Sequence, residues 1–346
     1  VVALTGCGAS REAAAPPSAG APTPATNVPP AAGSAAPSAA ALLERAKSLF
    51  GVLPPVPAEP PEQVALGRRL FFETRLSADG KIGCVSCHLP ERWGTDGLPR
   101  ARGVFGRENP RNSPTVFNAA FQSAEHWRAD RESVEDQARR ALLGKPSFGL
   151  ASDEDALAHL RALPMPYPDA FRRAFPNDAE PVNVQNWGAA LGAYERTLLT
   201  PSPFDAFLSG DPNALSAAAR DGLEAFMDER CVDCHDGPLV GGRALRKFGV
   251  RAEYAPLTHS NPVDAGRFDV TKDENERYVF KVAALRNVAR TAPYFHDGSV
   301  STLPDAIDIM AQVQLGKHLS AERIGAIASF LEALTGPVPK TFSPPP

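Results

Sequence analysis

Cys84-Val85-Ser86-Cys87-His88 and Cys231-Val232-Asp233-Cys234-His235 are two copies of one pattern, C-x-x-C-H, in the two halves of a 346-residue chain. Two thiols and an imidazole at this spacing suit covalent haem. The cysteines add to the two vinyl groups, and the adjoining histidine sits under the iron as proximal ligand. A redox C-x-x-C needs a βαβ setting, which the flanking sequence lacks. A zinc ribbon pairs its C-x-x-C motifs roughly 15–20 residues apart, far closer than these. The motifs therefore predict two haem c groups, attached through Cys84, Cys87, Cys231 and Cys234 and ligated by His88 and His235.

Outward from each motif the pattern repeats. Val64, Leu66, Leu70 and Phe71 recur at helical spacing before the first, and Leu223, Phe226 and Met227 mark a helix over 217–229 before the second. Further helices over 185–199 and over 321–334 (Ile324, Ile327, Phe330, Leu331) close the two units. The sequence between them is rich in Gly, Pro, Asn and Asp breaks and shows no run of alternating strands. The expected fold is mainly α: two cytochrome-c-like haem domains, 62–204 and 205–346, packed around an inter-domain haem–haem interface.

Residues 1–61 are rich in Ala, Pro and Ser and read as a disordered tether. Within it, Leu42, Leu43, Ala46 and Leu49 predict a short helix over 38–50. Leu4-Thr5-Gly6-Cys7 looks like the end of a lipoprotein signal. A lipid on Cys7 would anchor the chain at about 0.8 kcal/mol per buried CH₂. The competing reading is the remnant of an ordinary secretion signal. The expected location is the bacterial periplasm or cell envelope. The net charge is -4, with no dominant basic run, so nucleic acid is not an expected partner. No apolar run approaches the roughly 20 residues that span a bilayer.

A haem with two protein ligands carries electrons, whereas one with an open sixth position binds peroxide or oxygen. The remaining ligand candidates are His126, His159, His259, His296 and His318, and Met165, Met227 and Met310.

Several further stretches occur in a recognisable order. They are Leu66-Gly67-Arg68-Arg69-Leu70-Phe71-Phe72, Arg75-Leu76-Ser77, Arg111-Asn112-Ser113-Pro114-Thr115 and Trp127. In the second half come Gly266-Arg267-Phe268, Leu285-Arg286-Asn287 and Thr291-Ala292-Pro293-Tyr294-Phe295-His296-Asp297-Gly298. With these, residues 62–336 resemble the bacterial di-haem cytochrome c peroxidases and the related MauG enzymes. The resemblance implies a peroxidatic first haem and an electron-transfer second haem whose sixth ligand is Met310, where MauG-type enzymes have Tyr. It implies that Trp127 relays electrons between the haems and that Gln137 and His296 line the pocket. It also implies a calcium ion held by Asn112, Thr291 and Pro293, whose neutral oxygens suit Ca²⁺.

The sequence departs from the peroxidase pattern twice. The loop over 102–110 has no histidine or methionine to close the first haem, so that site is expected to be open without prior reduction. The stretch over 144–149 lacks the carboxylate that assists O–O cleavage. Glu135 and Asp136 are the nearest substitutes, on a helix face expected to be solvated. The implied activity is peroxide-dependent oxidation. Electrons for H₂O₂ come from a small cytochrome c or copper protein, or a residue such as Trp of a partner protein is oxidised in a MauG-like reaction. The non-enzymatic alternative is a di-haem electron-transfer cytochrome, with His126 as candidate sixth ligand of the first haem.

Overall fold

A computed structural model describes residues 39–345. Cys7 and its expected lipid lie outside the described residues. The first described element is α1 (Ala39–Leu49), followed by α2 (Pro61–Phe71), which leads to the first motif. After a long loop come α3 (Val134–Leu143), α4 (Asp153–Arg161), α5 (Tyr167–Ala174) and α6 (Val184–Glu195). The second half has α7 (Pro203–Leu208), α8 (Ala217–Asp228), α9 (Tyr254–Thr258), α10 (Phe268–Thr271), α11 (Leu303–Met310) and α12 (Ala321–Glu332). Side-chain oxygens start several helices: Ser133, Asn183, Ser216 and Ser320 accept the backbone N–H three residues on, at α3, α6, α8 and α12.

The expected helix pairs meet. Leu66, Leu70 and Phe71 of α2 pack with Trp187, Leu191 and Tyr194 of α6 in one core, against which Cys84 and Val85 lie. Leu223, Phe226 and Met227 of α8 pack with Ile327, Phe330 and Leu331 of α12 in another, against which Cys231 and Val232 lie. The two crossings share one device. A Cβ on Gly67 would stand 1.9 Å from the Ala190 carbonyl oxygen, and one on Gly222 would stand 1.9 Å from that of Ala326. The absent side chain lets the backbones touch, and an aromatic one turn on, Tyr194 or Phe330, flanks each glycine.

Three features differ from the sequence expectation. The tether does not extend to residue 61, because Leu42, Ala46 and Phe50 are buried in the second core. Each buried large apolar side chain stabilises by roughly 1.5–3 kcal/mol, and these few residues supply an apolar face that the overall Ala/Pro/Ser composition hides. The C-terminal tail leaves the second half and returns to the first core, where Phe342 packs at the edges of Phe71 and Phe117. Tyr194 Oη donates to the Thr341 carbonyl at 3.0 Å, fixing the tail there. A short antiparallel ladder, β1 (Leu245–Lys247) with β2 (Val279–Lys281), was too brief to register as alternation. Among the described residues no helix is long and apolar enough to cross a membrane.

Candidate functional site

Each motif folds as a single 3₁₀ turn, Cys84–Ser86 or Cys231–Asp233, after which the histidine N–H donates back to the first cysteine's carbonyl at 3.1 or 2.9 Å. His88 Nδ1 lies 2.9 Å from the Gly94 carbonyl, and His235 Nδ1 lies 3.1 Å from that of Ala283. A carbonyl only accepts, so Nδ1 carries the proton and Nε2 keeps its lone pair. That is the tautomer a haem iron takes as proximal ligand. Burial holds both imidazoles down at about 4, so they are neutral at pH 7. Burial also pushes the Cys87 and Cys231 thiols up to about 12, far from a reactive thiolate. Among the described residues no cluster of His, Cys, Asp or Glu is arranged to hold a metal ion by itself, which leaves a zinc reading without its further ligands. The residues present fit covalent haem at both motifs.

A polar and aromatic bridge joins the halves. Trp127 Nε1 donates to the Asn112 carbonyl at 3.0 Å, and the Asn112 N–H donates to the His296 carbonyl at 2.8 Å. The Lys281 N–H donates to the Trp127 carbonyl at 2.7 Å, two residues before the carbonyl that orients His235. Trp127 and Met310 belong to one apolar cluster with Phe248, Tyr254, Phe280 and Val313. The His296 ring stacks on Phe280 at 4.4 Å and meets Trp127 edge-on at 6.4 Å. Its Nε2 is buried without a hydrogen bond, 4.0 Å from Asp264, which Arg111 holds at 2.7 Å.

The structure thus brings Asn112, Trp127, His296 and Met310 together. Thr291 and Pro293 sit on the approach to His296, with Thr291 Oγ1 donating to the Val288 carbonyl. Gln137 is half-buried on α3. Its neighbours are not free acids, contrary to the expected solvated face. Glu135 pairs with Arg196, and Asp136 accepts from Arg140 at 2.8 Å and from the Glu132 N–H at 3.1 Å.

Sequence reading passed over three groups here. Lys281 is buried, donating to Gln122 Oε1 at 2.6 Å and to the Ala124 carbonyl at 2.8 Å. Burial and the nearby Glu135, opposed by Lys281, set the Glu125 carboxyl up at about 7. Glu195, on α6, is fully buried and close enough to Cys84 to weigh on its thiol; burial and the charges of Glu125 and Glu135 push its carboxyl well above the usual range. The adjacency of Glu125 to Trp127 was the one available signal.

The di-haem cytochrome c peroxidase family model matches residues 61–213. The chain is 41% identical to the cytochrome c551 peroxidase of Pseudomonas aeruginosa over 312 residues, 88% of this chain and 89% of that protein. It is 34% identical to the methylamine utilization protein MauG of Methylorubrum extorquens, over 72% of this chain and 68% of that one. A crystal structure of a MauG-like protein associated with microbial copper homeostasis superposes with a TM-score of 0.72 at 29% identity, covering 86% of this chain and 96% of that one. Both attachment turns, the helices that carry them and these relatives agree: the chain belongs to the di-haem cytochrome c peroxidase family.

Proposed function

We propose that this peroxide-dependent di-haem enzyme reduces H₂O₂ at the first haem, with electrons that a small redox protein delivers to the second. The observation that carries this reading is the loop over 102–110. Cys87 Sγ lies 3.9 Å from the Arg102 carbonyl, so the loop borders the first attachment site, and it offers neither imidazole nor thioether to close it. Haem, when bound, supplies an iron that binds peroxide on one side of the pair and exchanges electrons on the other. His88 and His235 present neutral Nε2 atoms for that purpose. Trp127 is held by both halves at once, which suits a relay between them. Met310 would cap the second iron with a neutral thioether, an arrangement that favours the reduced metal.

A MauG-like outcome, oxidation of a partner protein's residue, draws support from the same open loop, while Met310 in place of Tyr favours the peroxidase. Rapid mixing with peroxide separates the two. Fast consumption of H₂O₂ in the presence of reduced cytochrome c or copper protein is the expected result. A long-lived spectral change that decays only when a partner protein is added would favour the second outcome.

Asn112, Thr291 and Pro293 are proposed to hold a calcium ion. Asn112 is the residue whose backbone links Trp127 to His296, so the ion would brace the relay. Stripping calcium with a chelator is expected to slow inter-haem electron transfer about tenfold, equivalent to ~1.4 kcal/mol in the barrier, as followed by flash photolysis. The periplasm or cell envelope, with Cys7 lipidated, remains the proposed location.

A further inference from the structure

Lys281 is a buried cation without a role in the chemistry above. It lies in β2, 7% exposed, and its Nζ donates to Gln122 Oε1 at 2.6 Å and to the Ala124 carbonyl at 2.8 Å. Taking an ammonium out of water is costly unless hydrogen bonds replace its hydration. Both acceptors belong to the segment of the first half that leads to Trp127, and Lys281 reaches them from the second half. A long stem ending in a head with several donors suits two acceptors in different directions.

The segment over 122–127 runs along the second half and is tied to it repeatedly. The Ser123 N–H donates to the Gly242 carbonyl at 3.0 Å, and its hydroxyl donates to that of Arg243 at 3.0 Å. Gln122 packs on Gly242, where a Cβ would stand 3.2 Å from its Cγ. Lys281 takes Gln122 and Ala124 with Nζ and the Trp127 carbonyl with its backbone N–H, at 2.7 Å. The same stretch of chain serves the second haem. The Val282 carbonyl accepts the Gly242 N–H at 3.0 Å, and the Val282 N–H donates to the Ala244 carbonyl at 2.8 Å. The next carbonyl, that of Ala283, orients His235 through Nδ1 at 3.1 Å. Gly241 lies against both groups: a Cβ there would stand 2.2 Å from that carbonyl and 3.0 Å from Nδ1. Two residues of one chain therefore separate the grip on Trp127 from the grip on the second haem's proximal histidine.

We propose that Lys281 is a positioning residue for inter-haem electron transfer: its side chain clamps the segment over 122–124, so that Trp127 keeps one placement relative to His235. The proposal rests on the reading of Trp127 as the relay. Lys281 itself neither gives nor takes an electron or a proton. Its backbone bond fixes one atom of Trp127, and a residue held at one atom can pivot about it. The two Nζ bonds, to Gln122 and Ala124, remove that freedom from the chain leading in. The indole bond to the Asn112 carbonyl removes it from the ring. A relay gains rate from such fixed geometry as any reacting pair does.

The test follows inter-haem electron transfer by flash photolysis in the di-haem holoprotein. Both haem potentials are titrated in each variant, so that rates are compared at equal driving force. Lys281→Met keeps the stem and the backbone N–H and removes both Nζ bonds. Gln122→Leu removes one of them from a half-buried position and carries the test if the buried substitution prevents folding. Gln122→Glu keeps an acceptor for Nζ. Lys281→Met is expected to slow transfer about fivefold and Gln122→Leu about twofold, within the coupling range of residues in contact. Gln122→Glu should restore the rate lost in Gln122→Leu. In a Trp127→Phe background, Lys281→Met or Gln122→Leu should slow transfer little further, because both act through one relay. Effects that multiply independently of Trp127 would overturn the proposal. So would wild-type transfer in both Lys281→Met and Gln122→Leu, or an altered low-spin EPR signal of the second haem, which would place the loss at His235. Wild-type transfer in Trp127→Phe alone would overturn the relay reading itself, an outcome distinct from these.

Discussion

Trp127 gives its one polar hydrogen to a backbone carbonyl, that of Asn112, and its own carbonyl accepts from Lys281. An indole so held has a fixed orientation, which a relay requires. Trp127→Phe removes the N–H and leaves the Asn112 carbonyl without its donor. It should slow inter-haem transfer roughly tenfold or more, the equivalent of ~1.4 kcal/mol, and an unaltered rate after flash photolysis would remove the relay role. Met310 ends α11 in the same apolar cluster. Met310→Ala should lower the second haem's potential on the order of 0.1 V, a fraction of the ≈ 0.8 V that axial ligation spans, and potentiometric titration reads it directly. At this scale a di-haem protein was legible because the motif is local: five consecutive residues, twice over, state its chemistry. The link from Trp127 through Asn112 to His296 was not. It joins residues distant in sequence, which side-chain periodicity does not encode.

Between elements, the two glycine crossings set how each motif-bearing helix meets its closing helix. A Cβ at Gly222 would overlap the Ala326 carbonyl and press on Phe330 at 3.0 Å, so α8 and α12 would have to separate. Gly222→Ala and Gly67→Ala should each destabilise by about 1–3 kcal/mol, the range for overpacking, with thermal unfolding as the readout. A helix-propensity gain would raise the melting temperature instead, and that result would contradict the crossing geometry. The four helices of these crossings, α2, α6, α8 and α12, were legible from apolar residues at helical spacing, whereas α3, α4, α5, α7, α9, α10 and α11 were not read from the sequence. Their partners were legible only by analogy between halves, because period reveals a face without revealing what covers it. The ladder of β1 and β2 escaped for a different reason: three residues are too few to establish alternation.

Across the whole molecule, chain connectivity and packing do not run in parallel. Residues 39–50 serve the second half, and the C-terminal tail serves the first. Composition could not show either, because a few large apolar residues in a biased segment decide whether it docks. The N-terminal segment is also tied to a buried ion pair of the second half, where Arg286, 1% exposed, donates from Nη2 to Asp205 Oδ1 at 2.9 Å and from Nε to the Pro238 carbonyl at 2.9 Å. Asp205 also accepts the Leu53 N–H at 2.9 Å. Arg286→Met would strand a buried carboxylate and should cost about 3–5 kcal/mol in chemical denaturation. Burial alone would raise the Asp205 carboxyl, but Arg286 outweighs it and holds the group below its usual range. A carboxylate depressed in the folded state adds stability above the unfolded value near ~3.9, and this is lost as pH falls through the folded value. Asp205→Asn should therefore flatten the acid limb of the stability profile; an unchanged limb would mean the pair contributes nothing there.

The account depends on two irons in different states within one chain. The most direct measurement is the EPR spectrum of the untreated ferric holoprotein. One high-spin signal, converted by cyanide or peroxide, beside one low-spin signal that neither reagent alters is the result expected. Two low-spin signals, both indifferent to cyanide and peroxide, would contradict it and leave a protein that only carries electrons.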